Sequence, residues 1–134
     1  MLNDNIHLQQ AKLNEEAAIE NQKSYPEWAI VMCFYAALHY IEYYAVSKQE
    51  NIYDLYPDSE SKKFSQQERR IRYVEDISSD KNSPDLSIAY ERLYEASMKA
   101  RYLKNLNTTS RRYFKIGCEF YFKALDTVKD SLSL

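Results

Sequence analysis

The feature that most constrains this chain is the apolar run at residues 28–46, WAIVMCFYAALHYIEYYAV, which His39, Glu42 and the tyrosine hydroxyls interrupt with polar groups. Trp28, Val31, Tyr35, Leu38 and Glu42 follow one another at steps of three and four, and so do Ile30, Phe34, Ala37, Ile41 and Tyr44. These spacings define two faces of one helix. A helix with two apolar faces needs neighbours on two sides, so this segment reads as the central helix of a bundle. The run approaches membrane-spanning length, yet Glu42 and His39 interrupt it, no basic cluster flanks it, and its tyrosines are not confined to two belts. The expectation is a core helix in a cytoplasmic protein, with no membrane segment.

The remainder of the chain agrees with an all-α fold. One glycine and three prolines in 134 residues leave few positions for the positive φ that tight hairpins demand. The spacing predicts a four- to five-helix antiparallel bundle in a single domain over residues 1–134. An outer helix is expected at about 4–23, with Asp4 as N-cap and Ile6, Leu13 and Ala17 turned inward. Ser24-Tyr-Pro-Glu27 has the form of a capping box that opens the central helix, which runs to about residue 47. A polar connection follows over 48–63, pinned by Tyr53, Leu55 and Tyr56. Ser65-Gln-Gln-Glu68 is a second capping box and starts a helix to about Ser78, with Ile71, Val74 and Ile77 inward. Ser83 caps a fourth helix with Pro84 in its first turn and Leu86, Ala89, Leu93, Ala96, Ala100 and Leu103 as its buried stripe. A fifth helix runs from about Thr109 to the end and contains Gly117, with Phe114, Cys118, Tyr121, Leu125, Val128 and Leu132 in register.

Charge narrows the function classes. The net charge of -2 excludes a global basic field for nucleic acid, so such a contact requires local clusters. Two clusters exist. Lys62, Lys63, Arg69, Arg70 and Arg72 form one, and Arg101, Lys104, Arg111, Arg112 and Lys115 the other, with Glu68 the only acid in either window. Folded together they would make a basic cleft; left apart they are solvated helix faces, and the sequence leaves both readings open. Arg111 and Arg112 stand in a first helical turn, where they oppose the helix dipole and where free amides suit a phosphate or carboxylate. Tyr90, Tyr94, Ser97 and Arg101 share one face of the fourth helix. No Cys-x-x-Cys or Cys/His ligand spacing occurs, so neither a metal nor another cofactor is expected, and Cys33 and Cys118 read as buried free thiols. The first residues lack the basic and long apolar segments of a signal peptide.

The stretch Tyr25-Pro-Glu-Trp-Ala-Ile-Val-Met-Cys-Phe-Tyr-Ala-Ala-Leu-His39 resembles the Trp-Ala-…-Phe-Tyr-Ala-Ala-x-His signature of a group of prokaryotic HEPN-like proteins. Gln66-Gln-Glu-Arg69 resembles a segment that in relatives often reads His-x-x-Arg, and Ser97-Met-Lys-Ala-Arg101-Tyr102 resembles their Ser-x-x-x-Arg-Tyr. The resemblance implies a helical bundle, commonly a homodimer, associated with RNA or nucleotides in toxin–antitoxin or defence systems. It also implies a nucleotidyltransferase-type protein partner. Many members are metal-independent ribonucleases whose catalytic motif is an arginine, four to six residues, then a histidine. That motif is absent here: no arginine precedes His39, and Gly117, Cys118 and Glu119 stand where a histidine should follow Arg112.

Three functions follow as expectations. The first is a non-catalytic module that binds RNA or a nucleotide phosphate through Arg69, Arg70, Arg72, Arg101, Arg111 and Arg112, supported by Tyr35, Tyr94, Ser97 and Tyr102. The second is an atypical ribonuclease that uses His39 as its acid–base group. The third is a dimeric interaction scaffold with tyrosine anchors.

Overall fold

The structure is a computed structural model that describes residues 2–134, with side chains from residue 6 onward. Asp4, the expected first cap, lies outside the residues whose side chains are described. Among the described residues the chain is all-α: α1 (Leu2–Asn21), α2 (Pro26–Ser47), α3 (Ile52–Leu55), α4 (Gln66–Asp80), α5 (Asp85–Tyr102), α6 (Ser110–Phe114) and α7 (Cys118–Ser131).

The central place of α2 follows from its sequence. It packs against α1, α4, α5, α6 and α7, and Ile30, Cys33, Ala36, Ala37 and Ile41 are wholly buried. By length and composition it could cross a bilayer, and most of that apolar window is buried against its neighbours. The short connection after Asn21 folds α1 back antiparallel along α2. Likewise α5 runs antiparallel to α2, so that Phe34 packs against Tyr90 and Tyr94 with tilted rings whose centroids lie 5.7 Å away. The core is aliphatic below these rings, where Leu86, Leu93, Leu125 and Val128 are each at most 1% exposed. Full burial of such a side chain contributes about 1.5–3 kcal/mol.

Five local expectations need correction. On α1 the buried residues are Ala11 and Ala18, while Ile6 and Leu13 face outward; two small residues let the backbones of α1 and α2 approach closely. The Ser24 box does not form. Tyr25 is the N-cap of α2 with no side-chain bond, and Glu27 is drawn instead to Arg111. The connection after α2 is pinned by buried Ile52 and half-buried Tyr56, with Tyr53 and Leu55 exposed. Leu103 falls outside the α5 stripe, exposed at a left-handed C-cap. Finally, Gly117 does not lie within a helix: its φ of +88° breaks the chain between α6 and α7 and caps α7.

Two other local expectations match. Ser65 accepts from the Glu68 amide and the Glu68 carboxylate accepts from the Ser65 amide, each at 3.1 Å. Cys33 and Cys118 are free and buried, and burial pushes both thiols up from their ordinary range.

Candidate functional site

The arginines of the two basic windows have different fates. Arg69 is 3% exposed and clasps the segment before α4. Its Nε donates to the Tyr56 carbonyl, one Nη to the Phe64 carbonyl and the other to Asp58, all at 2.8 Å. Arg70 donates to Glu42 at 2.8 Å and to the Gln67 side-chain amide oxygen, Oε1, at 3.2 Å. Arg111 donates to both carboxylate oxygens of buried Glu27, at 3.0 and 3.2 Å. These three guanidinium groups therefore hold α2, α4, α6 and the long connection in place. Of the others, Arg72 is exposed and lies over the Phe64 ring, and the Arg112 side chain is exposed with no bonded partner among the described residues.

Arg101 differs from all of these. It is half-buried at the end of α5, and its hydrogen-bond partners are neutral: the Tyr35 hydroxyl at 3.0 Å, the Ser97 carbonyl at 3.3 Å, the Ser97 hydroxyl at 3.4 Å and the Met98 sulfur at 3.6 Å. Ser97 is wholly buried and donates to the Tyr94 carbonyl at 2.8 Å, which fixes it beneath the guanidinium. The cation also lies 5.6 Å from the centre of the Tyr35 ring and 5.0 Å from that of exposed Tyr102. A charge so held, with no carboxylate in contact among the described residues, keeps its capacity for an anion.

One turn further along α2 stands His39. Its Nδ1 lies 3.0 Å from the Nδ1 of His7 on α1. Burial holds the His39 imidazole below its ordinary range, and His7 and Arg70 act the same way against the opposing pull of Glu42. The pair opens on a cavity of about 420 Å³ that is also lined by Glu42, Asn51, Gln66 and Arg70. Tyr94 packs on Phe34 and contributes its carbonyl to the Arg101 region rather than its hydroxyl.

Two groups thus form along the outward stripe of α2. Tyr35, Ser97, Arg101 and Tyr102 meet at one, and His39, Gln66 and Arg70 at the next. Arg69, Arg72, Arg111 and Arg112 join neither. His7 is the residue that sequence reasoning passed over. The signal was present, because His7 and His39 stand equally far from Lys23 in the α1–α2 connection, and an antiparallel hairpin brings such positions level. Compared with protein-family models, with curated proteins and with solved structures, the chain matches none.

Proposed function

We propose that this chain is a non-catalytic HEPN-like module that binds RNA or a nucleotide phosphate, with Arg101 as the phosphate anchor. The observation that carries the reading is the Arg101 guanidinium, oriented by Tyr35 and Ser97 and bonded to no carboxylate among the described residues. A planar, pre-positioned guanidinium suits a phosphate, whose oxygens can accept two parallel bonds from it. Tyr35 and exposed Tyr102 flank it and offer rings on which a base can stack. The resemblance of the 25–39, 66–69 and 97–102 stretches to HEPN-like proteins supports the same reading, since parts of all three line the α2 stripe. The broad basic cleft gives way to a local anchor, because Arg69, Arg70 and Arg111 are engaged with Asp58, Glu42 and Glu27.

The reading is tested by fluorescence anisotropy of a labelled single-stranded RNA, with a nucleoside triphosphate as competitor. Wild-type binding should weaken with salt, and Arg101→Ala should reduce affinity about tenfold, equivalent to about 1.4 kcal/mol. An undetectable complex at low salt, or an Arg101→Ala variant that binds as wild type, would sink the proposal.

Trp28 supports a second reading, a homodimer or a nucleotidyltransferase-type partner seated on the same stripe. Its indole is 49% exposed although it opens the most apolar helix of the fold. Light scattering of wild type and Trp28→Ser separates this reading from the first: a dimer that the substitution converts to monomer supports it, and a monomeric wild type removes the dimer.

A further inference from the structure

We infer that His7 and His39 form a two-imidazole clamp for a divalent transition-metal ion of tetragonal preference. The inference stands on the histidine pair alone and is independent of the phosphate reading.

The geometry is the first support. The two Nδ1 atoms approach to 3.0 Å, and the ring centroids lie 5.3 Å apart with their planes tilted by 31°. Two nitrogens bound at a right angle to one ion, each about 2.0–2.1 Å from it, are separated by about 2.9 Å, whereas a tetrahedral ion spreads them to about 3.3 Å. The observed spacing is that of a direct hydrogen bond and also lies near the tetragonal separation, so an ion requires little translation of the rings but a rotation of each by about 45°, which turns its lone pair off the N–N axis. Imidazole is also a ligand type that such ions favour.

Protonation sets the cost of binding. A direct Nδ1–Nδ1 hydrogen bond requires one ring to donate and the other to accept, so in the neutral pair one ring carries its proton on Nδ1. Neither Nε2 bonds to a protein group among the described residues. On metal binding the donor ring moves its proton from Nδ1 to Nε2 through solvent, and both Nδ1 lone pairs turn to the ion. Both rings stay neutral and no net proton is lost from the pair.

The surroundings suit a cation with water in its remaining positions. Glu42 stands one turn from His39 on α2 and also lines the cavity, whose volume of about 420 Å³ leaves room for solvent. The nearby cation, Arg70, is held against Glu42 at 2.8 Å. Among the described residues no three His, Cys, Asp or Glu side chains converge, so the chain supplies two ligands and solvent the others. The ion would tie α1 to α2 near the open end of their hairpin.

Calorimetric titration of the full chain with Cu²⁺ tests the inference, alongside His7→Ala and His39→Ala. One equivalent should bind to wild type, and each variant should bind at least about tenfold more weakly, because the second imidazole acts as an intramolecular ligand. Electron paramagnetic resonance of the wild-type complex needs no variant, and should show nitrogen splitting from two imidazoles. The melting temperature of wild type should rise with Cu²⁺ and that of His7→Ala should not. Absence of uptake by wild type, unchanged affinity in both variants, or a spectrum without imidazole nitrogen would each overturn the clamp.

Discussion

At the scale of single residues, the two groups that matter most for order between α2 and α4 are Arg69 and Ser65. Arg69 satisfies two carbonyls and a carboxylate of the connection with one planar group. A lysine has no fork with which to repeat this. Arg69→Ala and Arg69→Lys should therefore both destabilise the protein, the first by about 2–3 kcal/mol, as measured by urea unfolding. A loss below about 0.5 kcal/mol would show that the clasp is dispensable. At Ser65, the backbone amide and then the hydroxyl hold the Glu68 carboxyl below its ordinary range. A carboxyl lowered on folding contributes stability at neutral pH, and loses it as pH falls through its folded value. Ser65→Ala should cost about 1 kcal/mol and move the Glu68 titration, followed by NMR, part of the way back towards that of a free glutamate. The Ser65 box was legible because both of its bonds are local. The Ser24 box had the same pattern and failed, because Arg111, far along the chain, holds Glu27. Arg69–Asp58 and Arg70–Glu42 were hidden for a related reason: each acid lies outside the basic window that contains its arginine, and counting charge within a window does not find it.

At the scale of elements, the break between α6 and α7 depends on one backbone conformation. Gly117 sits at φ +88°, and a Cβ built there meets no atom within 4 Å. Space is thus not the constraint; the left-handed conformation is. Gly117→Ala should destabilise by about 1–2 kcal/mol, and Gly117→Asn by less, since asparagine tolerates this region better. Equal losses for the two variants in thermal unfolding would argue against a conformational origin. The helical stripe on both sides of Gly117, from Phe114 through Cys118 to Val128, was readable as a pattern. The break was not, since a stripe at steps of three and four survives a turn that restarts the helix in nearly the same phase. The Arg101 site was legible in part. Tyr94, Ser97 and Arg101 share a face of α5 by spacing alone, but the contact of Arg101 with Tyr35 requires the antiparallel packing of α5 on α2.

At the scale of the molecule, the helices differ in how many neighbours secure them. The α5 and α7 helices each pack on α2 and on one another, whereas α1 packs chiefly on α2. Its further tie is polar: Glu15 accepts from the Tyr40 hydroxyl at 2.7 Å and from Lys129 of α7 at 3.2 Å. The face that α1 buries was misread because Ile6 and Leu13, like Ala11 and Ala18, are seven residues apart and bulk favoured the first pair. Small residues win here because Ala11 and Ala18 share a core cluster with Cys33, Ala36 and Ala37, where close approach of two helices replaces side-chain volume. Ala18→Leu forces methylenes into that contact and should cost about 1–3 kcal/mol. The cost should fall on α1 first. Native-state hydrogen exchange should show α1 amides exchanging faster in the variant through a local opening, while amides near Leu93 of α5 and Val128 of α7 still exchange only with global unfolding. Acceleration shared equally by all helices would mean instead that α1 opens only when the entire bundle does, and that its single principal neighbour secures it as firmly as the several neighbours secure α5.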